Sequence, residues 1–194
     1  TNIVEMKGFR LSSDKLDIAS KPNSTATVNI ASNVIWTVGS NESWLTLNPT
    51  SGTGEKTLTF TAEANTAVTQ RTANVTFSAT GVDSQTIIVT QTASPLNVTA
   101  GKLKTFLTSK ELATITKLTL TGTIDARDFK TMRDDMPLLA EVDLSGVTIA
   151  KYSGTEGTYW ELGTIITYPA NEIPMFAFQN QNFILIANKN NQNR

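Results

Sequence analysis

The sequence contains no histidine and no cysteine among its 194 residues. Both absences exclude chemistry, because Ser-His-Asp and Cys-His nucleophiles need these residues, and so do zinc sites with nitrogen or sulfur ligands. Without cysteine no disulfide can stabilise the fold, so hydrophobic packing must do so. Composition still permits carboxylate-only acid–base chemistry, Ser-Lys pairs and calcium bound through oxygen ligands.

An excess of charge of one sign is also missing. The 16 Lys and Arg residues balance 17 Asp and Glu residues, and the formal net charge is −1. Since the basic side chains are scattered singly, nucleic acid and anionic membranes are not predicted partners. No segment approaches the roughly 20 apolar residues of a membrane-spanning helix. The chain begins at Thr1 rather than Met, as expected if an export signal has been removed.

Residues 1–93 show alternation of apolar and polar residues at period two, the pattern of half-buried β-strands. Ala26, Val28 and Ile30 alternate with Thr and Asn, and the stretch from Ala73 to Ala79 repeats the pattern. Segments rich in Gly, Pro, Asn and Ser separate such runs. Seven or so short strands in about 85 residues predict an immunoglobulin-like β-sandwich.

Several segments of this half resemble the signature of the BACON domain, namely Trp36-Thr37-Val38, Ser43-Trp44-Leu45-Thr46-Leu47 and Pro49-Thr50-Ser51-Gly52-Thr53-Gly54. The strand from Arg71 to Phe77 and the segment from Ile87 to Gln91 also resemble that family. The resemblance implies an exported bacterial protein, often tethered to the outer surface. It also implies a role in binding glycans or mucin.

Trp36 and Trp44 suggest a sugar-binding surface, because aromatic faces stack on pyranose rings. Their positions favour a structural role instead. Trp36 lies among alternating core positions, and Trp44 leads directly into Leu45 and Leu47. Tryptophan is also highly buried on average. We therefore predict that both side chains pack mainly in the core and that the sandwich is a spacer.

Composition changes at Ala93-Ser94-Pro95, which predicts a boundary and a second domain over residues 94–194. In this domain Ile115-x-x-Leu118-x-Leu120 aligns with Leu139-x-x-Val142-x-Leu144 at an offset of 24 residues. A period of about 20–29 residues with this pattern is typical of a leucine-rich repeat. Between the copies, residues 126–136 are predicted to form a helix that Asp125 caps, and Ser109 is predicted to cap an earlier helical turn.

The segment Ile173-Pro174-Met175-Phe176-Ala177-Phe178 resembles the repeated unit of BspA-type leucine-rich repeats. The stretches from Leu118 to Phe129 and from Val142 to Ile149 resemble the N-terminal part of such arrays. This resemblance implies a bacterial surface protein linked to adhesion. The predicted fold is therefore mostly β, with an immunoglobulin-like β-sandwich followed by a short α/β leucine-rich-repeat solenoid whose array is incomplete.

After Phe178 the chain offers one strand-like run, residues 184–187, and a polar tail, residues 188–194. A solenoid of two or three repeats cannot bury both ends of its stack. We expect the tail, the sandwich or a second copy of the chain to seal the open end. Self-association through that end is therefore a predicted interaction.

The insertion from Tyr152 to Glu161 is the predicted ligand surface. It is rich in glycine, contains Tyr152, Tyr159 and Trp160, and interrupts the repeat spacing, so we expect a protruding loop. In the alternative, Tyr159 and Trp160 fold back over the repeat cores.

Four carboxylates, Asp125, Asp128, Asp134 and Asp135, are the remaining candidates for chemistry. Their spacing matches no EF-hand loop, and we expect them to be mostly helix-start or solvated charges. The sequence thus predicts no catalytic residue, no metal ligand and no cofactor.

The predicted function is non-enzymatic recognition or adhesion at the cell surface, by a secreted protein or an outer-membrane lipoprotein. In this interpretation the sandwich is a spacer and the repeat surface binds a host or environmental protein or glycan. Two alternatives stay open. The sandwich itself binds carbohydrate, or the chain is a truncated product with a structural role only.

Overall fold

The computed structural model describes residues 7–161, 163–179 and 184–186. The chain divides into two compact units, Thr1–Ser94 and Pro95–Arg194. Strands account for 47% of the described residues and helices for 11%, so the prediction of a mostly β protein is confirmed. In the described part of the chain, no helix has both the length and the apolar character needed to cross a membrane.

The described part of the first unit contains nine strands: β1 (Phe9–Leu11), β2 (Lys15–Ile18), β3 (Ser24–Ser32), β4 (Trp36–Ser40), β5 (Leu45–Asn48), β6 (Ser51–Gly52), β7 (Lys56–Ala62), β8 (Arg71–Ala79) and β9 (Val82–Gln91). They form two sheets, with orders β1-β3-β7-β5 and β2-β9-β8-β4-β6. Strand β2 pairs with β9 in parallel, and the other pairs are antiparallel. The two sheets contribute to one hydrophobic core, as in a sandwich.

The core of the first unit follows the alternation in the sequence. Both sheets contribute fully buried side chains, among them Val28, Leu58, Phe60, Val75, Phe77 and Ile87. Burying each large apolar side chain contributes about 1.5–3 kcal/mol. Trp36 is 0% exposed and Trp44 is 7% exposed, which confirms that both tryptophans pack in the core.

One end of the sandwich is held by the buried side chain of Gln91. Its Nε2 donates to the carbonyl oxygens of Ala19 at 3.0 Å and Glu63 at 2.7 Å, and its Oε1 accepts from Arg71 Nε at 2.7 Å. The Arg71 guanidinium in turn lies 4.4 Å from the centre of the Trp44 ring. A buried amide with these partners stabilises the fold, whereas an unpaired one would cost free energy.

The described part of the second unit contains β10 (Leu96–Val98), α1 (Leu103–Phe106), α2 (Ser109–Thr114), β11 (Lys117–Ile124), α3 (Ala126–Asp135), β12 (Glu141–Ile149), β13 (Tyr152–Gly154), β14 (Ile166–Tyr168) and β15 (Ile184–Ile186). Strands β10, β11, β12 and β15 form a sheet in that order, and all its pairs are parallel. Strands β13 and β14 form a separate antiparallel pair.

The register of the parallel sheet matches the repeat in the sequence. Leu96 pairs with Leu120, and Leu118 pairs with Val142, so both partners are 24 positions apart. Leu118, Leu120, Val142 and Leu144 are all buried. The repeated apolar positions therefore pack together as a stack of strands. The assignment of this unit to the leucine-rich-repeat class stays a prediction.

The helix that connects β11 to β12 begins and ends close to the predicted bounds. Asp125 caps α3 by accepting from the backbone N–H of Arg127 at 2.9 Å, and Asp128 completes a capping box. The helix ends at Asp135, one residue before the predicted end. For α2 the sequence suggested Ser109 as the N-cap, and this was wrong. Thr108 is the cap, because its side chain and that of Glu111 form the reciprocal bonds of a capping box.

Strand β15 carries the predicted open end of the array. Leu185 pairs with Val142, while Ile184 and Ile186 are exposed. The polar tail expected to seal this end, residues 188–194, lies outside the described residues. Self-association through β15 stays a prediction.

Candidate functional site

The insertion predicted as a protruding loop begins as a strand. Tyr152–Gly154 forms β13 and pairs with β14, so the expectation of a loop is wrong for its first residues. Tyr152 stacks on Tyr168 with ring centres 6.1 Å apart, and the Arg127 guanidinium lies 4.7 Å from the Tyr152 ring centre. The Tyr152 hydroxyl accepts from the backbone N–H of Glu156 at 3.1 Å. Tyr152 thus shapes the turn, and its predicted ligand contact stays a prediction.

The other two predicted residues belong to an exposed cluster that we call the aromatic patch, made of Tyr159, Trp160, Met175 and Phe176. The ring centre of Tyr159 is 5.7 Å from that of Trp160 and 6.1 Å from that of Phe176. Trp160 is 67% exposed, whereas Tyr159 is half-buried. Tyr159 is thus partly covered and Trp160 faces solvent, and the role of both as ligand contacts stays a prediction.

Two hydrogen bonds fix the backbone beneath the aromatic patch. The buried hydroxyl of Thr158 donates to the carbonyl oxygen of Met175 at 2.5 Å. The backbone N–H of Tyr159 donates to the hydroxyl of the buried Tyr168 at 2.8 Å. Gly157 packs directly against the Tyr168 ring, where a Cβ would collide with it. The segment that carries the patch is therefore fixed by hydrogen bonds and packing and is not a free loop.

Arg133 of α3 connects the two segments that form the patch. Its guanidinium donates to the carbonyl oxygens of Thr158 at 2.6 Å and Phe176 at 2.9 Å. The Asp134 carboxylate accepts from the same guanidinium at 2.6 Å and 3.1 Å, and this bond lowers the pKa of Asp134. These contacts hold Phe176, whose φ of 58° lies in the left-handed region that residues other than glycine rarely adopt.

The chain around the patch is acidic. From residue 152 to residue 179 the sequence contains three carboxylates, Glu156, Glu161 and Glu172, and no Lys or Arg. Glu156 and Glu161 are exposed. Any ligand at Trp160 therefore meets negative rather than positive charge on this segment.

A second candidate site lies on the outer face of the sheet β1-β3-β7, as a groove of about 630 Å³. Arg10 pairs with Ala31 and Thr57 pairs with Asn29, while Glu55 directly precedes β7. If the β3–β7 register is continued by one residue, Glu55 lies opposite Ala31. Arg10 and Glu55 then lie on opposite sides of Ala31. The small Ala31 side chain forms the floor between two long side chains of opposite charge.

The floor of this groove presents hydrogen-bond donors. Asn29 Oδ1 accepts from the Thr57 hydroxyl at 2.9 Å, and the Ser12 hydroxyl oxygen accepts from the backbone N–H of Asn29 at 3.0 Å. With these oxygens engaged, the Asn29 amide nitrogen and the Ser12 hydroxyl hydrogen can donate to a ligand. The groove thus offers donors on its floor and the opposite charges of Arg10 and Glu55 at its walls, and Lys56 also lines it.

The buried carboxylate of Asp128 is engaged in hydrogen bonds with the backbone. It accepts from the backbone N–H groups of Gly101 at 2.6 Å, Leu103 at 2.9 Å and Asp125 at 2.9 Å. Burial raises the pKa of Asp128 despite these three bonds. Among the described residues, no group of three or more acidic side chains could hold a metal ion.

The sequence did not indicate several site residues as such: Arg133, Met175 and Phe176 at the patch, and Arg10, Ala31 and Glu55 at the groove. Phe176 was noticed only as part of a repeat unit. No local pattern marks the groove, because Arg10 and Glu55 meet across β3 only through the strand register.

Comparison with known families bears on the first unit. Residues 34–92 match the BACON family model, described as "Putative binding domain, N-terminal". The BACON resemblance is confirmed for this segment. The matched segment includes both buried tryptophans and ends one residue after β9. No curated protein matches the chain.

Three similar solved structures come from Bacteroides species. A Bacteroides ovatus GH5 xyloglucanase in complex with a XXXG heptasaccharide is 22% identical, with 80% of this chain and 30% of that chain covered and a TM-score of 0.44. A glycosyl hydrolase family 2 member from Bacteroides cellulosilyticus is 15% identical, with 45% and 14% covered and a TM-score of 0.37. A Bacteroides thetaiotaomicron protein solved by NMR is 13% identical, with 48% and 94% covered and a TM-score of 0.33. The chain thus spans less than a third of the xyloglucanase chain.

Proposed function

We propose that this chain is a binding protein without catalytic activity, in which the aromatic patch contacts a protein or glycan partner and the sandwich is a spacer. One observation carries the proposal. Trp160 is 67% exposed, whereas Trp36 and Trp44 are buried at 0% and 7%. Tryptophan, tyrosine and methionine are enriched at binding interfaces, and tryptophan and tyrosine are frequent among the few residues that supply most of the affinity. The match of residues 34–92 to a binding family supports a binding role for the chain as a whole.

The distribution of exposed apolar side chains also supports the second unit as the binder. In the first unit Ile35 and Ile88 are exposed, whereas in the second unit the exposed large apolar residues are Phe106, Leu138, Trp160, Ile165, Met175, Phe176, Ile184 and Ile186. Apolar residues scattered singly are ordinary, but clustered ones such as the aromatic patch mark interaction sites.

The proposal extends to the fold class of the second unit and to the cellular location of the protein. We propose that residues 94–194 are the start of a BspA-type leucine-rich-repeat solenoid and that the protein acts in adhesion at the cell surface, as a secreted protein or a lipoprotein. The support is the parallel pairing at an offset of 24 residues, together with the family resemblances described above.

The experiment compares Trp160→Ala with Ile88→Ala in the full chain. Ile88 is an exposed apolar residue on the sandwich, so it controls for the loss of apolar surface elsewhere. Both variants are tested for binding to arrays of extracellular matrix proteins and host glycans. We expect Trp160→Ala to weaken binding to the recognised partner at least tenfold, with Ile88→Ala unchanged. Equal binding by both variants would refute the proposal.

The groove on the sandwich favours a second candidate function, carbohydrate binding by the first unit. Its floor donors and its Glu55 carboxylate suit the hydroxyl groups of a saccharide, which both donate and accept. Replacing Ala31 by Leu would fill the floor between Arg10 and Glu55 without disturbing the core, since Ala31 is exposed. If glycan binding is lost in Ala31→Leu and kept in Trp160→Ala, the sandwich is the binder and the second unit is not.

A further inference from the structure

We infer that the aromatic patch receives a basic side chain, lysine or arginine, from a partner polypeptide. This inference rests on the proposed function, because it takes the patch as the recognition surface. It adds the chemical class of the partner, which follows from the exposure of the Trp160 ring and from the charged residues beside it.

Other aromatic rings of this chain already carry cations. Arg71 covers Trp44 at 4.4 Å, and Arg127 covers Tyr152 at 4.7 Å. Trp160 has no such cation among the described residues, although its ring is the most exposed of the three tryptophans. Tryptophan is the best ring for this interaction, which operates when a cation lies within about 6 Å of the ring centre. The Trp160 ring is therefore available to a cation, and within the described part of the chain no Lys or Arg occupies it.

The charge beside the ring has the sign that attracts a cation. Glu161 follows Trp160 directly and is exposed, as is Glu156. The nearby base, Arg133, is committed to the carbonyl oxygens of Thr158 and Phe176 and to Asp134. A carboxylate next to an exposed ring offers a cation an ion pair and a ring contact at once.

The remaining members of the patch suit the rest of a basic side chain. Lysine and arginine bury their methylene stems along apolar surface while the charged end stays near polar groups. Met175 and Phe176 provide such a surface beside the ring of Tyr159, and Met adapts to irregular shapes. A neutral saccharide could stack on Trp160 and donate a hydroxyl to the carboxylate, but it carries no cation for the ring and no charge to pair with Glu161. We therefore assign the patch to a polypeptide with an exposed Lys or Arg.

The test uses the full chain and two peptides, hexa-arginine and the hexa-citrulline peptide of the same shape without charge. Binding is followed through the three tryptophan indole N–H signals in NMR spectra. We expect hexa-arginine to shift the Trp160 signal at low salt and to leave the signals of the buried Trp36 and Trp44 unchanged. We expect hexa-citrulline to bind at least fivefold more weakly.

Two variants separate the contribution of the aromatic ring from that of the charge, and a third variant is the control. Trp160→Leu keeps an apolar side chain without a ring and should weaken hexa-arginine binding about five- to thirtyfold. Glu161→Gln should weaken it severalfold at low salt and much less at high salt. Asp83→Asn removes an exposed carboxylate of the sandwich that does not line the groove and should have no effect, which makes it the matched control for Glu161→Gln.

Equal affinity for the two peptides would overturn the inference, as would a Glu161→Gln variant that binds like the wild type. In that case the proposed function still stands if Trp160→Ala loses the partner found on the arrays. If Trp160→Ala keeps that partner, the proposed function fails independently of the peptide result.

Discussion

Leu118 lies beside Val142 in a parallel pair, although 24 residues separate them along the chain. Leu96 and Leu120 form the same relationship one strand earlier. Strands in parallel need a crossover connection, and here α3 supplies it between β11 and β12. The repeat in the sequence is therefore a repeat in space, and the aromatic patch lies outside this stack of strands, on the segment between β13 and β14 and on the segment after β14.

The pairing of β10 with β11 depends on Gly122. Its φ is 87°, and a Cβ at this position would collide with the carbonyl oxygen of Val98. We expect Gly122→Ala to reduce the free energy of unfolding by about 2–4 kcal/mol, since a left-handed residue with a side chain costs about 1–2 kcal/mol before the collision is counted. Urea unfolding followed by circular dichroism measures the loss.

Gly163→Ala is the matched control for this prediction. Gly163 has a φ of 82° but nothing within 4 Å of the added Cβ, so only the backbone strain remains. An equal loss in both variants would show that close packing of β10 on Gly122 contributes nothing.

The position of Trp36 predicts a second sensitive glycine, Gly52. A Cβ on Gly52 would lie 2.9 Å from the Trp36 ring, which is fully buried and cannot move away cheaply. We expect Gly52→Ala to destabilise the sandwich by about 1–3 kcal/mol through overpacking. Gly39→Ala, with nothing within 4 Å of its Cβ, should change the melting temperature far less. Similar melting temperatures for the two variants would contradict the packing described here.

Asp128 predicts a stability difference that depends on pH. Burial raises its pKa, so the native chain binds the proton more readily than the unfolded chain. The contribution of Asp128 to stability should therefore fall as pH rises from its ordinary pKa, about 3.8, through the raised native value.

Asp128→Asn isolates this effect because asparagine does not titrate. Its amide nitrogen cannot accept, so at least one of the three backbone N–H groups loses its partner, at a cost of about 1–3 kcal/mol. The stability difference between wild type and variant, measured by urea unfolding, should be larger near pH 4 than at pH 7. A difference that grows with pH would mean that the native state favours the carboxylate.

Tyr168 predicts a coupling between the hairpin and the aromatic patch. Its hydroxyl accepts from the backbone N–H of Tyr159, while its ring stacks on Tyr152. Tyr168→Phe keeps the ring and removes the acceptor, so we expect a loss of about 0.5–1.5 kcal/mol and faster hydrogen exchange at the Tyr159 amide. Tyr152→Phe, which removes a bond to Glu156 instead, should leave that amide unchanged. Unchanged exchange in Tyr168→Phe would refute the coupling.

Features that depend on a local pattern could be predicted from the sequence. The alternation in β3 and β8 predicted which side chains are buried, because each strand has one face on a common core. The helix α3 followed from its apolar spacing and its cap. The prediction of Ser109 as the cap of α2 failed because the preceding Thr108 is also a good cap, and its reciprocal bonds with Glu111 make it the cap.

Features that depend on distant residues could not be predicted. Tyr159 and Phe176 are 17 positions apart and meet because Arg133 and Thr158 hold their segments together. Nothing in the order of residues distinguishes an aromatic side chain that folds back from one that faces solvent, so Tyr159 and Trp160 looked equivalent. The groove above Ala31 is hidden for the same reason.

The central claim is that Trp160 contacts a partner. The most direct measurement is the indole N–H spectrum of the full chain during titration with a partner selected on the arrays. The account predicts that the Trp160 signal shifts in proportion to bound partner while the Trp36 and Trp44 signals stay in place. A bound complex in which the Trp160 signal does not move would contradict it.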